Sequence, residues 1–185
     1  GSPMRFRILA LACLAFAFAG LARAEEPVIK VLFLGDRGHH RPEQLYKTIG
    51  PYFAGRGIEM TYTEKLSDLS DEVLAKYDGL LIYANHEKIE PAQEAALLKF
   101  VEEGKGFIPV HCASYCFLNS PKYIELCGAQ FSRHGTGDFR TRIVKPSHPI
   151  MKGFDGFESW DETYVHTKHN EKNREVLEVR ADVQG

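Results

Sequence analysis

Three short apolar runs, each ending at a polar loop, constrain this chain more than any other feature. Val28 to Leu34 (VIKVLFL), Gly79 to Ala84 (GLLIYA) and Phe107 to Val110 (FIPV) are nearly continuous in apolar residues. Strands buried on both faces read this way, whereas half-solvated strands alternate. Ile58 to Thr63 adds a further strand. Between the strands lie helix-length segments. Pro42 opens one that carries Leu45, Ile49, Tyr52 and Phe53 on one side; Gly50-Pro51 is expected to kink or split it, and Gly55 and Gly57 to stop it. Ser70 followed by Asp71-Glu72 caps a short helix to about Tyr77. Pro91 to Glu103 forms the clearest helix, with Ala95, Leu98 and Val101 available for the core. Strand-helix alternation of this kind predicts an α/β fold with a mostly parallel sheet covered on both faces.

Beyond Gly128 the pattern weakens, although Phe139 to Val144 and Val176 to Val179 read as strands. The last residues, Glu178 to Gly185, bring no helix to cover the sheet, so the domain reads as truncated at its C-terminus.

The N-terminus follows different rules. Met4-Arg5-Phe6-Arg7 is a basic start, Ile8 to Leu21 an apolar run, and Ala22-Arg23-Ala24 a small-residue end. These are the parts of a secretory signal peptide, and the run is short for a membrane span. Residues 4–24 are therefore expected to be removed before Glu25, leaving residues 25–185 as one domain exported to the periplasm or beyond. Residues 1–3 precede Met4 and read as a cloning remnant. A lipoprotein would use Cys13, but only the five residues Ile8 to Ala12 would then form its apolar segment. The remaining cysteines, Cys112, Cys116 and Cys127, are odd in number, so at least one thiol stays unpaired.

A net charge of −2 with scattered lysines and arginines gives no reason to expect nucleic acid as partner, and after signal cleavage nothing calls for a membrane. A small molecule is the expected partner; a homo-oligomer stays open.

In open α/β sheets, ligands bind outside the carboxyl ends of the strands. The loop after the first strand contains His39-His40, the loop after the third contains Asn85-His86-Glu87, and the fourth strand ends at His111. Imidazoles on one rim suit proton transfer or the binding of a divalent metal such as zinc. His39 and His40 cannot both enter one crevice if the segment is extended, and each of these residues taken alone reads more readily as a surface or hydrogen-bonded histidine; their shared edge is what points to a site. Pro109 to Ser114 (PVHCAS) has the form of a nucleophile elbow with His111 at its tip, which would turn Cys112 towards the sheet as an inert thiol. Further on, His134 lies in a glycine-rich loop and His148 in a turn. In Asp161-Glu162-Thr163-Tyr164, an extended chain puts Glu162 and Tyr164 on one face and Asp161 on the other. Glu162 is the candidate carboxylate, against the alternative of a solvated charge.

Taken in order, VIKVLFLG with His39-His40, EEGKGFIPVHCAS, FSRH, HPI and DETY resemble the ThuA-like, or trehalose-utilisation, family over the whole mature segment. The resemblance implies a flavodoxin-like three-layer sandwich related to the class I glutamine amidotransferase domain. It also implies that the amidotransferase cysteine is replaced at the elbow by His111, so that amidotransferase chemistry is absent. By position, the implied site is His40 or its neighbour His39, His111, His134, Glu162 and Tyr164. His111, Glu162 and His134 are the catalytic candidates; His39, His40 and Tyr164 are the substrate-binding ones. His40, His111 and His134 are the candidates to hold a metal. The implied substrates are sugars, including keto-glycosides.

Three functions follow. The first is an exported enzyme in which His111 and Glu162 exchange protons with a sugar hydroxyl or a carbon beside a keto group. The second is a non-catalytic carbohydrate-binding or accessory module, for which Trp160 and the tyrosines offer stacking surfaces, although aromatics at such positions more often serve the core. The third is a cysteine hydrolase using Cys112 or Cys116.

Overall fold

The computed structural model describes residues 28–181; the expected signal segment, residues 4–24, lies outside them. Strands β1 (Ile29–Leu34), β2 (Ile58–Thr63), β3 (Gly79–Ile82) and β4 (Gly106–Pro109) form one parallel sheet in the order β2-β1-β3-β4. Helix α1 (Pro42–Ala54) covers one face, where Leu45, Tyr46 and Ile49 pack on Val31, Phe33 and Leu81. Helices α2 (Asp71–Leu74), α3 (Pro91–Glu102) and α4 (Pro121–Cys127) bring Leu74, Leu97, Phe100 and Tyr123 into the other core, against Leu32, Leu34, Leu80 and Ile82. The expected three layers are present.

Several local expectations need correction. Gly50-Pro51 does not split α1: Pro51 falls in its last turn and the helix runs on to Ala54. Its missing N–H therefore costs one ladder bond close to where the ladder ends. Ser70 does cap α2, its Oγ accepting from the Val73 N–H at 3.4 Å, but the helix stops at Leu74 instead of reaching Tyr77. In α3 the buried face is Ala96, Leu97 and Phe100; Ala95 is exposed, while Leu98 and Val101 pack at its margin. The expected stripe was set one position off on the helical wheel.

The C-terminal part departs most from expectation. The strand expected from Phe139 is the end of a longer one, β5 (Gln130–Ile143), which pairs antiparallel with β6 (Glu158–Thr167) and with β7 (Glu178–Arg180). This second sheet, ordered β6-β5-β7, is a ribbon that meets the elbow. Among the described residues no helix is long and apolar enough to cross a membrane.

Candidate functional site

Sheet order decides where a crevice can open. With β1 and β3 adjacent and β2 outside them, the loops after β1 and β3 diverge at the switch point of the sheet. The first loop supplies His40. Here the chain turns instead of running extended, so the restriction on neighbouring side chains does not apply, and the His39 and His40 rings lie 4.0 Å apart. His39 remains exposed on the rim; His40 is half-buried.

Two groups that the sequence did not single out hold His40 in place. Asn85 Oδ1 lies 2.9 Å from His40 Nδ1, and an amide oxygen accepts only from an N–H. Nδ1 is thus the donor in this contact, and Nε2 is buried without a hydrogen-bond partner. Asn85 is itself anchored, its N–H donating to Asp36 Oδ2 at 2.5 Å. Tyr83 adds a wall, with ring centroids 5.8 Å from His40 and 6.1 Å from His111. His86, grouped by sequence with the other rim histidines, instead ties two loops together through a 3.0 Å contact between its Nε2 and the Gly35 carbonyl.

At the end of β4 the chain makes the expected sharp turn. His111 has φ of 48°, a left-handed conformation that costs a non-glycine residue and is kept where surrounding structure enforces it. The residues after it form a tight turn, His111–Tyr115, before α4 begins at Pro121. Ser114 Oγ donates back to the His111 carbonyl at 3.1 Å, and His166 Nε2 lies 3.2 Å from the same Oγ. His166 was not a sequence candidate; it is a support of the elbow from β6.

The ribbon supplies the other half. Glu162 Oε2 lies 3.1 Å from His111 Nε2 and 3.9 Å from His40 Nε2, while Oε1 lies 3.6 Å from His134 Nε2. Tyr164 stacks on His111 with centroids 4.2 Å apart, its hydroxyl 3.1 Å from Nε2. Arg180 of β7 donates to the Tyr164 carbonyl at 3.1 Å and steadies the strand. Asp161 faces away, accepting the Glu162 N–H at 2.7 Å, as the period of two requires. His148 stays apart, accepting the Ile150 N–H in its own turn.

Burial lowers the His111 pKa, and His40 adds repulsion; nearby Glu162 pulls the other way without reversing the shift. Burial thus disfavours the imidazolium and biases the ring to its neutral form. Burial also raises the Tyr164 pKa, reinforced by the Glu162 charge, so its hydroxyl stays a proton donor. The thiols are packing groups. Cys112 is fully buried with its pKa pushed up to about 12, and Cys116 donates to the Ala84 carbonyl from a fully buried position. A protonated, enclosed sulfur has neither the charge nor the access a cysteine hydrolase needs.

The sequence profile of the ThuA family, described as trehalose utilisation, matches residues 30–184. The chain belongs to the ThuA family. A crystal structure of a protein described as ThuA-like from Bacteroides uniformis superposes with a TM-score of 0.72 at 22% identity, covering 85% of this chain and 70% of that one. A second, described as ThuA-like from Parabacteroides merdae, gives 0.70 at 14% identity over 84% and 68%. A chain described as a GMP synthase subunit from Thermoplasma acidophilum gives 0.46 at 12% identity over 76% and 68%. No curated protein matches the sequence.

This ThuA-family site also has a donor set suited to a metal. His40, His111 and Glu162 each offer one ligand atom, all within 4.8 Å of one another. His40 Nε2 and Glu162 Oε2 are buried and without a hydrogen bond of good geometry, the close approach of Oε2 to His111 notwithstanding. Two imidazoles and a carboxylate with unsatisfied atoms fit a divalent ion such as zinc. His134, expected as a ligand, contacts the other carboxylate oxygen and is outside this group. Separately, a cavity of about 680 Å³ beside β2 is lined in part by Asp36 and His86 and by none of His40, His111, His134, Glu162 or Tyr164.

Proposed function

We propose that this ThuA-family protein is exported and processes sugars, with keto-glycosides the favoured class, by proton transfer at His111 and Glu162. The observation that carries the reading is the position of His111 Nε2, 3.1 Å from both a carboxylate oxygen and a phenol hydroxyl. In this scheme His111 Nε2 removes a proton from a sugar hydroxyl or from the carbon beside a ketone. Glu162 stabilises the imidazolium that results. Tyr164 keeps its proton and donates a hydrogen bond to the oxygen on which charge develops. Asn85 and Asp36 fix the His40 ring. With a divalent metal bound instead, His40, His111 and Glu162 would hold it and the metal would polarise a substrate oxygen; His111 Nε2 would then be a ligand and not the base.

The test is proton exchange. Incubated in D2O with a keto-glycoside, the wild-type protein is expected to incorporate deuterium beside the ketone, read by NMR. His111→Ala is expected to lose this incorporation while keeping the wild-type urea midpoint. Equal incorporation by the folded variant removes His111 from the mechanism. Binding of the keto-glycoside by calorimetry with no exchange or turnover in the wild type favours a carbohydrate-binding module instead.

A further inference from the structure

We infer that Trp160 and Asp138 form a second sugar subsite next to the histidine cluster, so that the preferred ligand is a glycoside of at least two rings. This rests on the carbohydrate reading above and deepens it by naming the size of the ligand.

The placement comes from the β-ladder. In an antiparallel ribbon, directly opposed residues share a face, as do residues two apart along one strand. The pairs His134 with Tyr164, Thr136 with Glu162, and Asp138 with Trp160 are successive rungs of one face. Trp160 is thus the next rung beyond Glu162, roughly 7 Å further along β6 at the usual rise per residue.

The residue types suit a sugar. Trp160 is the only tryptophan in the sequence and is 67% exposed. The expectation that aromatics of this region serve the core does not hold for it. Packing is done on the opposite face of the ribbon, where Phe139 meets Phe157 at 5.9 Å and Arg180 lies 6.0 Å from the Phe139 ring. An indole this exposed presents a flat apolar surface, which complements the C–H face of a pyranose. Asp138, opposed to Trp160, brings a carboxylate that accepts from sugar hydroxyls. Both line an open cavity of about 560 Å³, with the Arg140–Glu158 ion pair on the following rung. A platform and an acceptor one rung from Glu162 on the same face are placed to bind a second ring while the first meets His111.

The lone tryptophan makes the test direct. Intrinsic fluorescence of the full chain, titrated with glucose, maltose, cellobiose and trehalose, is expected to respond to at least one disaccharide with affinity about tenfold above glucose. By calorimetry, Trp160→Ala is expected to erase that preference and Asp138→Ala to reduce it severalfold, both at an unchanged urea midpoint. The inference is overturned if a disaccharide binds without altering the emission, if Trp160→Ala keeps the preference, or if none of the four sugars binds. The two readings can fail separately: a fluorescence response retained in His111→Ala, with no exchange in the wild type, leaves the subsite and removes the chemistry.

Discussion

The parallel sheet and the antiparallel ribbon divide the work of this molecule unequally. Among the described residues, the buried apolar core runs from Val31 to Ile124, with Met151 its one member beyond α4. The ribbon and its loops instead hold large apolar groups in solvent, including Val144, Ile150, Phe154, Phe157, Trp160 and Val176. Yet Glu162, Tyr164 and His134 come from the ribbon, and only His40 and His111 from the sheet. The site is an interface between a region stabilised by burial and one stabilised by ladder hydrogen bonds and contacts with the elbow. Segments with few buried apolar groups are those that open locally.

The contrast can be broken most readily at the core. Phe33→Ala, at a fully buried ring, is expected to destabilise by about 3–5 kcal/mol, whereas Phe157→Ala on the half-exposed ribbon should cost roughly 1 kcal/mol or less. Urea unfolding measures both, and comparable losses would erase the distinction between the two regions. Activity should show the opposite pattern: Glu162→Gln is expected to lower turnover about 10²- to 10⁴-fold with the urea midpoint nearly unchanged. A Glu162→Gln variant as active as wild type would make the ribbon a bystander.

A chemical probe sharpens the comparison. With its pKa near 12, Cys112 should resist iodoacetamide at pH 8 until the sheet unfolds, as read by mass spectrometry. Rapid native labelling would show the elbow to be open.

The smallest effect is expected at the seam. Burial, with repulsion from His169 and Arg180, lowers the His166 pKa below its ordinary value of about 6.5. As pH falls through that value the unfolded chain takes up the proton first, so this contribution to stability is complete above it. The contribution is lost progressively down to the folded pKa, and no more is lost below. His166→Asn should therefore reduce the drop in urea midpoint between pH 8 and pH 5. An identical drop would mean that His166 does not titrate on unfolding.

The sheet was legible because burial leaves a local record: β1 and β3 lie within the apolar runs that announce them, and His111 stands at the turn that PVHCAS implies. At β4 the record was only partly right: the strand begins one residue before its run, and Ile108 is 43% exposed, so that run is not buried on both faces. The ribbon left a weaker record: the strands read at Phe139 to Val144 and Val176 to Val179 fall on the end of β5 and on β7, but nothing announced the rest. The first half of β5, FSRHGTGD, has glycines at 135 and 137 and polar groups on both faces, so no alternation marks it. The spacing of Glu162 and Tyr164 did carry the correct face, but not their partner. Asn85, Tyr83 and His166 were missed because a hydrogen bond across 45 residues, like that from His40 to Asn85, has no signature at either end.

By itself, then, the amino-acid order determined the sheet, its helices, the elbow and the family, since each follows from neighbours within a few residues or from a motif string. Tertiary structure alone decided that Glu162 reaches His111, that it and not His134 completes a set of possible metal ligands, and that Trp160 is left in water. Those outcomes depend on how the ribbon lies against the carboxyl edge of the sheet. Such docking is set by many weak contacts between distant segments, and no single stretch of chain encodes it.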